Sequence, residues 1–239
     1  MNQILYKNNF FYCLVLLFLN ACNGSSDAFV KKAKEQLKAG NAKEAILLLN
    51  TAIEKDDKNA EAFNMRGVAN FENKNLASAL LDYNQSIQLN PNDYRPYYNR
   101  ATLNMDKFDW SKAILDCNKA INLQADSAEL YTQRGIVQAA LQLPEKAIQD
   151  FSKAISLKNN ELNALYNRGN IYFQQKDFQK AKADFEKSLT IDPNFGKALY
   201  GMAMVFYQNK EQDNACFYWK KSKAKGYPDA IAVADSLCK

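Results

Sequence analysis

AELYTQRGIVQAALQLPEKAIQDFSKAISLKNNE, residues 128–161, and LNALYNRGNIYFQQKDFQKAKADFEKSLTIDPNF, residues 162–195, lie one above the other without a gap. Arg134 falls on Arg168, Gly135 on Gly169, Ala147 on Ala181, Asp150 on Asp184 and Phe151 on Phe185. The same 34-residue step, carried in both directions, makes six rows that begin at Ser26, Ala60, Tyr94, Ala128, Leu162 and Gly196. One column is alanine throughout: Ala45, Ala79, Ala113, Ala147, Ala181, Ala215. A second mixes alanine and glycine (Ala33, Gly67, Ala101, Gly135, Gly169, Ala203), and a third alanine and serine (Ala52, Ser86, Ala120, Ala154, Ser188, Ser222). Large residues recur too, as in Leu49, Tyr83, Cys117, Phe151, Phe185 and Trp219. Such a period marks an array of one repeated supersecondary unit. Each row breaks near its middle, at Gly40-Asn41, Lys74-Asn75, Phe108-Asp109 or Lys176-Asp177, where Asn or Asp suits an N-cap. Pro91 and Pro193 stand where a second helix must stop. Each row therefore reads as two helices, with the small columns at their closest approach.

Composition agrees and excludes much else. Of 239 residues 47% are apolar, and 8 Gly and 5 Pro leave little turn chemistry for a sheet protein. There is no histidine, which removes His-activated nucleophiles, His general bases and His-containing zinc sites. The net charge of +5 is mixed through the chain, without the basic stripe that nucleic-acid binding requires. No catalytic residue, metal or cofactor is expected, and no nucleic-acid partner.

Period, small columns and closing prolines together resemble the tetratricopeptide repeat family over residues 26–227. The resemblance implies an all-α fold: a right-handed α-solenoid of six 34-residue helix-turn-helix repeats. Their expected bounds are 26–59, 60–93, 94–127, 128–161, 162–195 and 196–227, followed by a capping helix at 228–239. Two departures stand out: only the first row has glycine at its mid-row turn, and only two rows end in proline. A non-glycine residue held left-handed there would cost about 1 kcal/mol. In this family, partners sit on the concave surface lined by each first helix. Carried over by position, that surface comprises Asn64, Phe71, Tyr98, Met105, Tyr166, Asn170, Phe173, Tyr200 and Tyr207. A lysine-based clamp for a terminal carboxylate is not expected, because Val30, Tyr98 and Tyr166 occupy the lysine places.

Two further features concern charge and sulfur. Arg66, Arg100, Arg134 and Arg168 are each followed sixteen residues later by Asp82, Asp116, Asp150 and Asp184. In the outer rows both are lost together, giving Lys32 with Leu48 and Met202 with Tyr218. This co-occurrence favours ion pairs within a row that set the hairpin's register; the other reading is arginines free for an acidic ligand. Cys117 stands in a large apolar column and reads as buried packing. The chain from Ala215 to Cys238 is similar to the C-terminal cap of envelope proteins of this family. Cys216 and Cys238 there are either bridged or two free thiols.

At the other end, an apolar run from Phe10 to Leu19 is too short to span a bilayer and has the length of a signal-peptide core. Leu19-Asn20-Ala21-Cys22 resembles the lipobox of bacterial lipoproteins. That implies a signal peptide over 1–21, lipid on Cys22 and a short tether over 22–25; a plain secretory signal is the alternative. Asn23, in place of Asp, leans towards the outer membrane, facing the periplasm. The combined expectation is a membrane-anchored, non-enzymatic adaptor of the cell envelope that binds a protein or peptide in its concave groove. The alternative is a structural subunit of an envelope assembly, docking through its convex face or its ends.

Overall fold

The computed structural model describes residues 24–238. The signal-like segment 1–21 and Cys22 lie outside the described residues. Among these, 13 helices and no strand are found. The first helices of the six rows are α1 (Ser26–Lys38), α3 (Ala60–Glu72), α5 (Tyr94–Asp106), α7 (Ala128–Ala140), α9 (Leu162–Gln174) and α11 (Gly196–Gln208). The second helices are α2 (Ala42–Lys55), α4 (Leu76–Leu89), α6 (Trp110–Leu123), α8 (Pro144–Leu157), α10 (Phe178–Ile191) and α12 (Gln212–Ala224). A last helix, α13, covers Pro228–Leu237. The architecture is an all-α helical-repeat solenoid. By its contacts the chain divides between Asn99 and Arg100 into two compact units. The first holds α1–α4 and the start of α5, and the second holds the remainder.

Size complementarity brings the two helices of a hairpin together. Every member of the alanine column is completely buried. In the glycine rows, the missing side chain makes room for a ring sixteen residues on. A Cβ on Gly67 would lie 2.5 Å from the Tyr83 ring, one on Gly135 2.6 Å from Phe151, and one on Gly169 2.8 Å from Phe185. Rows with alanine at that place pair it with another residue of the same core cluster: Ala33 with Leu49, Ala101 with Cys117 and Ala203 with Trp219. Two of the three serines in their column add a tie, while Ser188 Oγ donates to the Asp184 carbonyl of its own helix. Ser86 Oγ donates to the Ala60 carbonyl at 2.7 Å, and Ser222 Oγ to that of Gly196 at 2.8 Å. Each hydroxyl thus bonds the end of a second helix to the start of its own first helix.

The mid-row turns share one backbone solution. Gly40, Lys74, Phe108, Gln142, Lys176 and Lys210 all have φ between 58° and 78°. The amide one residue later donates to a carbonyl five residues back, as Asn75 does to Asn70 (2.8 Å) and Leu143 to Gln138 (2.9 Å). This left-handed closure satisfies carbonyls that the helix end would leave bare. Asn75, Asp109 and Asp177 then accept from the backbone amides of Ser78, Lys112 and Lys180, capping the next helix. Asn41 departs from this expectation, because its side-chain amide donates to Gln36 Oε1 at 2.9 Å and caps nothing. Five of the six left-handed residues are not glycine, so Gln142→Gly should raise the unfolding free energy by about 1 kcal/mol. Gly40→Ala should lower it by a similar amount through the backbone alone, since its added Cβ meets nothing within 4 Å. Urea midpoints at unchanged slope would measure both.

Candidate functional site

The arginines are occupied. Arg168 donates through Nε and Nη2 to Asp184 at 2.8 and 2.7 Å, and Arg134 does so to Asp150 at 2.7 and 2.8 Å. Arg66 binds Asp82 and Arg100 binds Asp116 in the same way, each with its closest approach at 2.7 Å. All four aspartates are buried. These partners raise the Arg134 and Arg168 guanidinium pKa above its ordinary value, chiefly through the hydrogen bonds from Asp150 and Asp184. A third contact reaches back one row: Arg66 Nη1 to Asn50 (2.9 Å), Arg134 Nη1 to Asn118 (3.0 Å) and Arg168 Nη1 to Ser152 (2.8 Å). Each of these arginines thereby holds both its own hairpin and the preceding one. With carboxylate and arginine saturated by each other, the ladder presents little free charge to a ligand.

The residues assigned to the concave face are treated differently by the two units. In the first unit, Asn64 is buried and its carbonyl oxygen accepts from Asn99 Nδ2 at 2.9 Å. Its side-chain oxygen is thereby engaged within the fold. Phe71 is half-buried beneath Lys74, and Tyr98 is also half-buried. In the second unit, Met105 is half-buried and packs against the cluster of Ala101, Ala113, Cys117 and Val137. Tyr207 lies 5.3 Å from the Trp219 ring and 41% exposed, away from the others.

The remaining four converge. Tyr166, Asn170, Phe173 and Tyr200 line one cavity of about 150 Å³, together with Phe185, Lys197, Gly201, Met204 and Tyr227. Tyr166 stands edge-on to Phe195 at 5.5 Å, and Tyr200 packs on Tyr227 at 5.3 Å. Burial, reinforced by the Asp229 carboxylate, pushes the Tyr200 and Tyr227 phenols above their ordinary range, so both stay protonated donors near neutrality. Lys197 and Tyr227 escaped the sequence reading. Tyr227 lies at the end of the sixth row, in the turn formed by Gly226 (φ 75°) before Pro228 starts α13. Among the described residues, no group of three or more Cys, Asp or Glu is placed to hold a metal ion. No helix among them is long and apolar enough to cross a membrane.

Against known families, the tetratricopeptide repeat profile matches residues 30–94, 128–161, 162–195 and 197–230, more than half of the chain. The chain belongs to the tetratricopeptide repeat family. No protein of curated function matches its sequence. Among solved structures, it is similar to pilF of Pseudomonas aeruginosa, at 16% identity and a TM-score of 0.77, covering 85% of this chain and 93% of that one. It is also similar to YrrB, described as a TPR protein with an unusual peptide-binding site, at 19% identity and a TM-score of 0.63, covering 79% and 98%. MamA shares 23% identity at a TM-score of 0.62, covering 70% and 91%. At these identities the likeness establishes the fold. In this tetratricopeptide repeat protein, α13 is held to α12 by a Cys216–Cys238 disulfide and by the Lys223–Asp235 ion pair. Cys117 is buried beside Asp116, and burial pushes its thiol up to about 12. Unreduced protein beginning at Gly24 should therefore show no thiol reactive at pH 8 while folded and one after denaturation. A second or third thiol in urea would mean the bridge is absent.

Proposed function

We propose that this protein is a non-enzymatic scaffold that holds a peptide segment or partner protein on the concave face of its first helices. The observation that carries the reading is the convergence of Tyr166, Asn170, Phe173 and Tyr200 from two successive repeats on one solvent-open cavity. Aromatic side chains that are half-buried beforehand offer contact area at small entropic cost. The peptide-binding site described for YrrB adds support by likeness of fold. We further propose that lipid on Cys22 tethers the scaffold to an envelope membrane, facing the periplasm, with the outer membrane favoured. Affinity capture from membranes, followed by titration of the recovered partner, tests this. The double variant Tyr166→Ala/Tyr200→Ala should weaken the partner at least tenfold, and Cys22→Ser should move the protein from the membrane to the soluble fraction.

One observation favours a second reading, a structural subunit docked through the opposite, convex side. Leu47 and Leu81 in the first unit and Leu115 in the second occupy one column of the repeat and are 61–69% exposed. Large aliphatics exposed at a repeated position suit a packed interface. If Leu47→Lys/Leu81→Lys releases the partner and the tyrosine variant keeps it, the concave reading falls and this one takes its place.

A further inference from the structure

We infer that the cavity of α9, α11 and Tyr227 takes one apolar side chain of an extended peptide, with an acidic residue of that peptide beside Lys197. The inference rests on the concave reading and narrows it to one place and one kind of ligand. Three observations define the occupant. The volume is about 150 Å³. An apolar cavity of that order accommodates a benzene-sized group, whereas sites for drug-sized ligands run to about 300 Å³ and above. It therefore has room for one Phe- or Leu-sized side chain.

Besides three tyrosine hydroxyls, of which Tyr227 is already engaged with Asp229 and Tyr166, the cavity presents two polar side chains, Asn170 and Lys197. Asn170 is half-buried, and its amide has no hydrogen-bond partner among the described residues. A free carboxamide offers two donors and an acceptor, the complement of one peptide unit's carbonyl and N–H. Such a group fixes an extended backbone without reading its sequence. Lys197 is the sole charged side chain lining the cavity. Its ammonium lies 5.9 Å from the Tyr166 ring centre and makes no ion pair among the described residues. A cation held over a ring at the mouth of an apolar slot selects a carboxylate next to the inserted side chain. One lysine is too few for a nucleic-acid backbone, whose binding needs several phosphate contacts.

Tyr227 adds a boundary. It comes from the turn before α13, and its Cβ sits 3.2 Å from the place where a Cβ on Gly196 would stand. Tyr227 thus walls the cavity beside the start of α11.

The test is selection of a random nine-residue peptide library, with both ends blocked, on the purified full chain. Enriched peptides are then titrated as fluorescein conjugates. The expected winners carry Phe, Leu or Met next to Asp or Glu. Asn170→Ala should weaken them about tenfold. Lys197→Glu should weaken them at least tenfold and, on reselection, enrich Lys or Arg beside the apolar residue. Circular dichroism of both variants should stay that of the parent, since neither side chain is in the core. Enriched peptides that ignore both substitutions but weaken with Phe71→Ala or Tyr98→Ala would overturn this assignment and leave the concave reading standing. Winners insensitive to every concave substitution would overturn both. Failure to enrich any peptide would overturn the single-side-chain slot.

Discussion

Arg168→Met should lower the unfolding free energy by about 3–5 kcal/mol, the cost of stranding a buried carboxylate. Arg168 supplies every side-chain hydrogen bond that Asp184 receives, and Asp184 is only 6% exposed. Tyr172, which stands where rows one to four carry an amide, gives Asp184 no second donor. The first unit offers the contrast. Asp82 keeps Asn70 Nδ2 at 2.9 Å after its arginine is removed, so Arg66→Met should cost less than Arg168→Met. The chain itself suggests the rescue. In the sixth row the corresponding places are Met202, buried, and Tyr218, whose ring stacks on Phe206 at 5.4 Å. Arg168→Met/Asp184→Tyr should therefore regain most of the loss, because replacing both members of a buried pair by apolar groups is often neutral or better. Urea unfolding of the three variants decides it. A loss under about 0.5 kcal/mol for Arg168→Met, the size of an exposed pair, would show that the ladder does not hold the hairpins.

The reach of sequence reading here follows from what repetition can and cannot transmit. A residue that serves the same purpose in successive hairpins is printed again and again, so Ala45 and its five successors, or Arg134 with Asp150 in a column of four, stand out. Asn50, Asn118 and Ser152 also recur in a column, yet a polar residue on the outer part of a helix looks like one facing water. Their role appears only when the arginine's third nitrogen is placed. Tyr227 was missed because it falls in the closing turn of the sixth row, in the column that holds Pro193 one row earlier, and not on a first helix. Side-chain partners are equally invisible in register: Met105 is half-buried on the cluster of Ala101, Ala113, Cys117 and Val137, and Asn64 is buried with Asn99, one repeat later, donating to its carbonyl oxygen.

Gly135→Ala should be destabilising by about 2–3 kcal/mol although alanine is the better helix former by about 1 kcal/mol. The new methyl carbon would stand 2.6, 2.9 and 3.0 Å from three atoms of the Phe151 ring, and Phe151 is fully buried. Either the ring leaves its rotamer or the two helices part. The remedy already exists in the first row, where Ala33 is paired with Leu49. Phe151→Leu in the Gly135→Ala background should recover at least half of the loss, whereas Phe151→Leu alone should cost about 1–2 kcal/mol for the void it leaves. A double-mutant cycle then gives a coupling energy of the rescuing sign, well beyond the scatter expected of independent sites. Additive losses would mean that glycine and ring do not share the space between helices. The hairpins would then be held by something other than the size match between small and large columns. Coupling of the expected sign would explain why the glycines at 67, 135 and 169 each come with an aromatic ring sixteen residues later.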